Sequence, residues 1–455
     1  MNIDGGFFKL KVDFFCGSVT MWHTFCFSLQ LERTNKTFIL CIMRNKGLMP
    51  KQVDTSMIKD CIGVKEGVDE DEIRKGELLI QETLDAYGIR VEKITAEPRL
   101  SVVYYEVFPS KGFGFLELKK HLYDFSVSLG SIHARILVPV PGKVAIGIEF
   151  PRTNPQLVSG KEFFDSEVFS GSEAILPIVF GKTHLNQYYV SDLTRMHHIL
   201  IAGDTGMGKT MCLKSMIVGL LYKKRSSELK LVLIDTKRVE FNVFTSLDTT
   251  FFAKEKNIDT DIITGTMQSI RMINALKMEM DKRYDLLRDT GTSNIEDYNE
   301  KQFQNGNEEG CHCLPYIVVV IDEFADLMLT SRKEMEEPLV MLATLSHRVG
   351  IHLIMSTQRP TTNIVTGSIL VNFPIRVAFK MTTPSESRRV IGRDDAVCLI
   401  GNGDMFISTP SDNEPIRCQG AYVSDSDTAN IVRFINGQNG CLDDEYYLPM
   451  MGKEE

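Results

Sequence analysis

Gly203-Asp204-Thr205-Gly206-Met207-Gly208-Lys209-Thr210 is the stretch of this chain that decides its fold. It fits the pattern GxxxxGK[ST] and lies between an apolar run predicted as a strand and a predicted helix rich in Met, Leu and Ile. The glycines of such a loop let it turn tightly, so that backbone N–H groups and the helix N-terminus face phosphate oxygens. The pattern predicts that Lys209 neutralises the β- and γ-phosphates of ATP and that the Thr210 hydroxyl ligates Mg²⁺. The alternative is a glycine-rich turn that binds no nucleotide.

A second motif is an acidic pair at the end of an apolar strand. The run 316–321 is rich in β-branched residues, which predicts a buried strand, and it is followed by Asp322 and Glu323. Asp322 is predicted to hold Mg²⁺ through water, and Glu323 to polarise the attacking water. The alternative is a pair of solvated carboxylates, which many strands have at their ends. The catalytic interpretation is favoured because the chain also contains the phosphate-binding loop.

A third apolar strand, residues 351–355, is followed by Ser356-Thr357-Gln358-Arg359. The amide of Gln358 is thereby placed at the edge of the same sheet, where RecA-like motors sense the γ-phosphate. We predict that Gln358 has this role. The alternative is a polar residue that only ends the strand at the surface, because polar residues are common after strands.

The order of the predicted elements indicates the fold class. From about residue 175 onward, short apolar strands alternate with longer amphipathic segments, which predicts an α/β fold with a parallel sheet flanked by helices. Residues 289–314 are predicted to be a surface loop. A small α+β domain is predicted N-terminal to this part of the chain, with helices over 77–87 and 116–129. The predicted domains are 1–59, 60–150 and 151–436, with an acidic tail at 437–455.

Composition narrows the functional classes. The chain has 455 residues, of which 43% are hydrophobic and 24% charged, as in an ordinary soluble protein. Its net charge of −9 argues against a protein that coats DNA with its whole surface, although it allows a narrow basic channel. The ten cysteines have no regular spacing and are predicted to be free thiols. Cys311, His312 and Cys313 lack the second half that a zinc site requires.

A series of short motifs extends in one order from about residue 75 to 436. They are the block 197–210, Ile234-Asp235, Arg283-Tyr284, Asn294-Ile295, Tyr298-Asn299, Asp322-Glu323-Phe324-Ala325-Asp326-Leu327, Gly350-Ile351-His352-Leu353, Thr357-Gln358-Arg359-Pro360 and Gly403-Asp404-Met405. Together they resemble the FtsK/SpoIIIE family of double-stranded DNA translocases. Other P-loop proteins share the first motif but not the later ones in combination.

The resemblance implies a hexameric ring that uses ATP and Mg²⁺ to pull double-stranded DNA through its centre. Residues 151–436 would be the motor, an α/β domain of the RecA-like P-loop NTPase type, and residues 60–150 would be a smaller collar. It also implies that a neighbouring subunit completes each active site with an arginine, and Arg348 occupies that position here. The alternative for Arg348 is an exposed arginine on a surface helix.

The resemblance further implies that Arg359 and Arg388 contact DNA phosphates. This chain departs from the family at two nearby positions, where Leu370 and Pro384 replace lysines that the family often has. Each lost phosphate contact is expected to weaken DNA binding and to lower its salt dependence by about one unit of slope.

Three functional alternatives follow from the whole sequence. The first is a translocase for chromosome, plasmid or phage DNA. The second is a coupling or packaging ATPase of a mobile element, with the aromatic-rich residues 1–50 docking a protein partner. The third is a nucleotide-regulated scaffold. No run reaches the ~18–20 apolar residues that span a bilayer, so we expect no membrane insertion and a cytoplasmic location. Because only about twenty residues follow the motor, we also expect no sequence-steering domain there.

Overall fold

The computed structural model describes residues 70–110, 134–137, 140, 143–258, 260–304, 313–438 and 445–450. The predictions for residues 1–59, for a helix over 116–129 and for the Cys311-His312 pair lie outside these ranges, as does much of the tail 437–455. Within the described ranges, every helix is too short or too polar to cross a lipid bilayer.

The N-terminal part of the described chain is a helix and an antiparallel sheet. Its elements are α1 (Glu70–Ala86), β1 (Val91–Pro98), β2 (Val102–Pro109), β3 (Arg135–Leu137) and β4 (Ile146–Pro151). The strands pair in the order β1-β2-β4-β3. Ile80 and Leu84 of α1 are buried in one cluster with Val107 and Ile148 of the sheet. The predicted α+β fold of this part is confirmed.

The helix α1 begins earlier than its sequence pattern suggested. It was predicted to start at Glu77, but that start is wrong, because the helix begins at Glu70, within an acidic run. Glu70, Asp71 and Glu72 form its first turn, where carboxylates stabilise the positive end of the helix dipole. The acidic run is therefore the N-terminal turn of the helix.

The remaining residues build one large mixed sheet and a small one. The strands are β5 (Val158–Ser159), β6 (Pro177–Thr183), β7 (Tyr188–Asp192), β8 (Ile199–Ala202), β9 (Leu229–Ile234), β10 (Ala253–Lys254), β11 (Ile262–Ile263), β12 (Tyr316–Ile321), β13 (Ile351–Thr357), β14 (Ile375–Phe379), β15 (Asp404–Ser408), β16 (Ile416–Tyr422) and β17 (Tyr446–Tyr447). In the described chain the large sheet has eleven strands, in the order β11-β9-β12-β13-β8-β14-β15-β16-β6-β7 with β5 beside β16. β10 and β17 pair separately.

The predicted parallel sheet is one half of this large sheet. The six strands from β11 to β14 pair in parallel. The strands from β14 through β15, β16 and β6 to β7 pair antiparallel, which the sequence analysis did not predict. Short connections are enough for the β6–β7 and β15–β16 hairpins, whereas parallel neighbours need a crossover. The α/β fold class is confirmed, with this addition.

Helices cover both faces of the large sheet. They are α2 (Gly160–Asp165), α3 (Glu167–Ser170), α4 (Leu193–Met196), α5 (Lys209–Lys223), α6 (Thr266–Thr290), α7 (Ile295–Gln304), α8 (Phe324–Leu345), α9 (Gly367–Asn372), α10 (Pro384–Ile391) and α11 (Asp425–Gln438). Because successive strand residues point to opposite faces, Val318 and Val320 of β12 pack in the same core cluster as α5. Val319 and Ile321 pack in the cluster that contains α6 and α8.

The prediction of a surface loop over 289–314 is wrong for its middle part. Gly291 ends α6 in a left-handed conformation, and α7 follows at Ile295. The side chain of Asn294 accepts a hydrogen bond from the Asp297 N–H at 2.8 Å, as an N-cap does. Ile295 and Tyr298 are the residues of α7 that are buried. Because α7 has only these two buried residues, its largely polar sequence gave no clear helical period.

Candidate active site

The loop 203–210 runs from the end of β8 into α5 and is wedged between neighbouring backbone segments. Gly203 has φ +156°, and a Cβ there would lie 2.6 Å from Cβ of Phe379 at the end of β14. Gly208 has φ +119°, and its Cβ would lie 2.8 Å from Cα of Gly403, which precedes β15. Both positions therefore require glycine. The loop is held by β14 on one side and by the 401–403 turn on the other.

Lys209 closes this loop on itself. Its Nζ donates hydrogen bonds to the carbonyl oxygens of Gly203 at 2.7 Å and Asp204 at 2.8 Å. Burial lowers the pKa of Lys209 to about 8, although the nearby carboxylates of Glu323 and Asp322 oppose that shift. A phosphate bound in the loop would favour the charged form further. The lysine predicted to neutralise phosphate is thus at the loop centre, close to the predicted catalytic acids.

The acidic pair lies at the carboxyl end of β12, as predicted. Burial, followed by the charge of Glu240, raises the pKa of Asp322 to about 7. The ammonium of Lys237 acts in the opposite direction. A divalent cation at this carboxylate would restore its ionised form, because an opposite charge at close range favours ionisation.

The carboxylate of Glu323 is held by four groups. Its oxygens accept hydrogen bonds from the Thr357 hydroxyl at 3.0 Å, from the Gln358 N–H at 3.2 Å and from the backbone N–H of Ala325 at 3.3 Å. Lys237 Nζ lies 3.2 Å from Oε2. These four contacts fix the orientation of the Glu323 carboxylate beside the loop.

The predicted γ-phosphate sensor, Gln358, also faces the loop. Its side-chain Oε1 accepts a hydrogen bond from the Thr205 hydroxyl at 2.7 Å. Its backbone N–H binds Glu323, so one residue joins the phosphate loop to the predicted catalytic carboxylate. The structure therefore brings together the residues that the sequence placed at three separate strand ends.

The donor groups at this site fit Mg²⁺. Mg²⁺ keeps several waters and is usually held by one or two carboxylates together with substrate phosphates. Asp322 offers the carboxylate, and Thr210 offers a half-buried hydroxyl in the first turn of α5. Within the described ranges, no group of three or more His, Cys, Asp and Glu side chains is arranged to hold a metal alone. The donor set thus suits an ion shared between protein and phosphates.

A cavity of about 490 Å³ adjoins the loop on the side of the antiparallel strands. Gly208, Met211, Gly403, Gln419 and Tyr422 are among the residues that line it. Its lining is mainly apolar with a few polar groups, and its size falls in the range of small-molecule sites. It can accept the nucleoside part of a nucleotide whose phosphates lie in the loop.

Arg348 lies at the opposite edge of the sheet. It belongs to the turn Ser346–Val349 directly before β13, and its side chain is exposed. The seven residues of β13 separate it from Gln358, which corresponds to about 23 Å at a rise of about 3.3 Å per residue. Arg348 therefore does not reach the loop of its own chain, which is the geometry expected of a residue that acts on a neighbour.

The two candidate DNA contacts are both exposed. Arg359 follows Gln358 at the carboxyl edge of the sheet. Arg388, on α10, forms an ion pair with Asp394, in which NH2 lies 2.9 Å from Oδ2. Leu370 is half-buried on α9, and Pro384 is the first residue of α10.

Two residues that follow β9 belong to the site, although their sequence pattern gave them no role there: Asp235 was noted as part of a motif, and Lys237 was not noted at all. Asp235 is completely buried, and its carboxylate accepts backbone N–H groups of four residues, from Lys237 to Phe241. This closed turn presents Lys237 to Glu323. Since β9 is the parallel neighbour of β12, the rule that parallel strands end at one edge was the signal that could have found Lys237.

Comparison with known proteins identifies relatives of both parts of the chain. The profile of the FtsK/SpoIIIE family matches residues 161–362, and that of the FtsK alpha domain matches residues 54–152. A DNA translocase FtsK of Chlorobaculum tepidum is 37% identical over 387 residues, which is 84% of this chain and 47% of that protein. DNA translocase SpoIIIE of Bacillus subtilis is 33% identical over 372 residues, which is 81% of this chain and 46% of that protein. The chain thus spans about half the length of the curated relatives it matches.

Two solved structures share the fold. The conjugation coupling protein TcpA of pCW3, solved with ATPγS, aligns with a TM-score of 0.53 at 22% identity, over 79% of this chain and 99% of that one. The cytoplasmic domain of the type VII secretion ATPase EccC of Thermomonospora curvata aligns with a TM-score of 0.52 at 24% identity, over 61% of this chain and 33% of that one. At these identities the likeness concerns the fold alone.

Proposed function

Because this chain belongs to the FtsK/SpoIIIE family, we propose that it hydrolyses ATP and uses the free energy to move double-stranded DNA. The observation that carries the proposal is the meeting of Lys209, Asp322, Glu323 and Gln358 at one edge of the sheet, around a loop shaped for phosphates. We expect the motor to work in the cytoplasm, where both ATP and DNA are available.

The proposed roles follow from the contacts of each side chain. Lys209 and the N–H groups of the loop bind the phosphates. Asp322 and Thr210 would hold Mg²⁺, which supplies positive charge to the transferring phosphoryl group when it is bound. Glu323 orients and polarises the attacking water, and its hydrogen bonds to Thr357 and Gln358 keep it in position.

The position of Arg348 supports a ring in which active sites are shared. It is exposed, and β13 separates it from the loop of its own chain. We propose a hexamer in which Arg348 of one subunit stabilises phosphoryl transfer in the next.

For DNA, we propose that Arg359 and Arg388 contact phosphates. A phosphate has to displace Asp394 from Arg388, because the two residues are paired. An Asp394→Asn variant should therefore bind duplex DNA more tightly, whereas Arg388→Ala should weaken binding and lower the salt slope by about one. Arg288→Ala, which alters an exposed arginine on α6, is the matched control.

The first test is steady-state ATP hydrolysis with and without linear duplex DNA a few kilobases long. A translocase should be strongly stimulated by the duplex, because hydrolysis is coupled to movement along it. Hydrolysis that does not respond to DNA would favour the nucleotide-regulated scaffold instead.

The second test separates binding from hydrolysis. Lys209→Ala should lose ATP binding, whereas Glu323→Gln should bind ATP and fail to hydrolyse it. Glu334→Gln, at an exposed position on α8, should behave as the unmodified protein does. If Glu323→Gln turned over ATP at the normal rate, the role given to Glu323 would be wrong.

The third test concerns the neighbouring subunit. Arg348→Ala protein alone should be inactive, and mixing in Lys209→Ala protein should restore part of the ATPase rate, because a Lys209→Ala subunit still supplies Arg348 to the intact site of its neighbour. Lys209→Ala mixed into Glu323→Gln protein is the control and should restore nothing, because both changes lie in the same site. Absence of recovery in the mixture of Lys209→Ala and Arg348→Ala would contradict action in trans.

A further inference from the structure

The N-terminal sheet and the large sheet meet at a buried carboxylate, that of Glu149 on β4. Its side chain is 2% exposed. It accepts a hydrogen bond from NH1 of Arg417, on β16, at 2.5 Å, and it lies 3.5 Å from Arg135 and 3.6 Å from Arg99. Burial by itself would raise the pKa of Glu149, but the three guanidinium groups outweigh it and hold that pKa below its usual range. The group is therefore an anion fixed at the junction.

Arg417 connects this anion to a second buried carboxylate. Its Nε and NH2 form a two-pronged ion pair with Asp404, at 3.0 and 2.6 Å. Arg417 and Asp404 are 3% and 0% exposed. Paired hydrogen bonds of this type fix direction as well as distance. Arg417 thus sets the position of Asp404, at the start of β15, while its NH1 is held by Glu149 of the N-terminal sheet.

Asp404 in turn closes the 401–403 turn. Its Oδ2 accepts the N–H of Ile400 at 3.1 Å, and its own N–H donates to the carbonyl of Gly401 at 3.0 Å. The carbonyl of Gly403 accepts the N–H of Gly420 at 2.8 Å, which ties the turn to β16. The turn has little freedom to move unless Asp404 moves.

This turn contacts the phosphate loop directly. The N–H of Gly403 donates to the carbonyl of Met207 at 3.0 Å. Cα of Gly403 is also the atom that a Cβ at Gly208 would meet at 2.8 Å. Asn402 and Gly403 line the cavity beside the loop. Any shift of the turn would therefore alter both the loop and the cavity wall.

We infer that Glu149 is a positioning residue of the nucleotide site, although it belongs to the N-terminal sheet. It acts through Arg417 and Asp404, which hold the 401–403 turn against Met207 of the phosphate loop. This inference rests on the proposed binding of a nucleotide at that loop. The N-terminal part of the chain is then a component of the ATP site rather than a separate collar.

The test is equilibrium binding of the fluorescent nucleotide mant-ADP with Mg²⁺ to the full chain. Glu149→Gln keeps the size of the side chain and removes the charge that holds Arg417. We expect it to weaken mant-ADP binding by about tenfold, within the range that coupling between sites covers. Glu106→Gln is the matched control: Glu106 lies on β2 of the same sheet, and its carboxylate pairs with the exposed Lys143 at 2.8 Å.

The kinetic pattern separates positioning from damage to the fold. A positioning role predicts a raised KM for ATP with little change in kcat, because Lys209 and Glu323 are untouched. A merely structural role would reduce the amount of active protein, lowering the apparent kcat at unchanged KM. Asp404→Asn should raise KM as well, and adding Glu149→Gln to it should raise KM little further, because both changes act along one path.

Hydrogen exchange of the unmodified protein tests the same link without a substitution. Saturating Mg²⁺-ADP should slow exchange in peptides that contain β4 and the 401–403 turn, and leave α1 unchanged. The inference would be overturned if Glu149→Gln bound mant-ADP as tightly as the unmodified protein does. It would also be overturned if nucleotide bound to the unmodified protein without slowing exchange in β4. Failure of the unmodified protein to bind nucleotide would instead overturn the proposed function.

Discussion

Replacing Arg283 on α6 should be among the most damaging single changes away from the site. Its side chain is completely buried and makes four hydrogen bonds. Nε donates to Glu279 at 2.8 Å, NH1 to the carbonyls of Pro315 and Val349 at 2.9 Å each, and NH2 to the Tyr446 hydroxyl at 3.0 Å. The carbonyl of Val349 directly follows Arg348, so this guanidinium also anchors the turn that carries the proposed trans-acting arginine.

Arg283→Met keeps much of the side chain but leaves the buried carboxylate of Glu279 without a cation. Breaking one partner of a buried ion pair costs about 3–5 kcal/mol. At an unfolding entropy of about 2.1 cal/mol/K per residue, a loss of about 4 kcal/mol corresponds to a fall in Tm of roughly 7 °C for a domain the size of 151–436. Thermal unfolding followed by circular dichroism, with nucleotide absent, measures this fall.

The same helix supplies the control. Arg288 pairs with Asp285 at 2.9 Å, but its side chain is 72% exposed, so Arg288→Met should change stability by about 0.5 kcal/mol or less. A double variant, Glu279→Leu with Arg283→Met, removes both buried charges and should recover much of the lost stability. Equal losses for Arg283→Met and Arg288→Met would refute the reasoning from burial.

Three further outcomes are expected. Gly208→Ala should weaken mant-ADP binding at least about tenfold, because φ is +119° and the new Cβ meets backbone at 2.8 Å; Gly367→Ala, where nothing lies within 4 Å, should not. Burial lowers the pKa of His352 to about 4. Between about pH 6.5 and 4 the unfolded chain therefore takes up a proton that the folded chain does not, which destabilises the fold by about 3 kcal/mol at the acid end. His352→Asn should flatten that part of the urea-denaturation profile. Cys313 is exposed, whereas burial raises the pKa of Cys212 to about 12, so iodoacetamide should label Cys313 quickly and Cys212 only on unfolding, as peptide mass spectrometry can show.

The parts of the site that sequence predicted are those that depend on local pattern. A glycine-rich loop after a strand, an acidic pair after a second strand and an amide after a third are each visible within about ten residues. Parallel strands end at one edge of a sheet, so the three segments were expected to meet there. The hydrogen bonds of Gln358 to both Thr205 and Glu323 bear this out.

The parts that sequence did not predict depend on pairings between distant segments. The ion pair of Lys237 with Glu323 requires that β9 lie next to β12. The apolar pattern of a strand does not indicate which strand lies beside it. The contact of Glu149 with Arg417 joins residues 268 positions apart. The helix α7 was missed for a different reason, since its buried residues are too few to produce a clear helical period.

The contacts of Gln358 bear on how nucleotide and DNA are coupled under the proposed roles. Its side chain binds the phosphate loop and its N–H binds Glu323, so a movement at the γ-phosphate position affects both partners. The next residue is Arg359, whose Cα is about 3.8 Å away across one peptide bond. Its N–H donates to the Thr357 hydroxyl at 3.0 Å, and that hydroxyl donates to Glu323. The proposed DNA contact and the proposed catalytic carboxylate are thus joined by hydrogen bonds through one threonine, and a change in one has to be accommodated by the other.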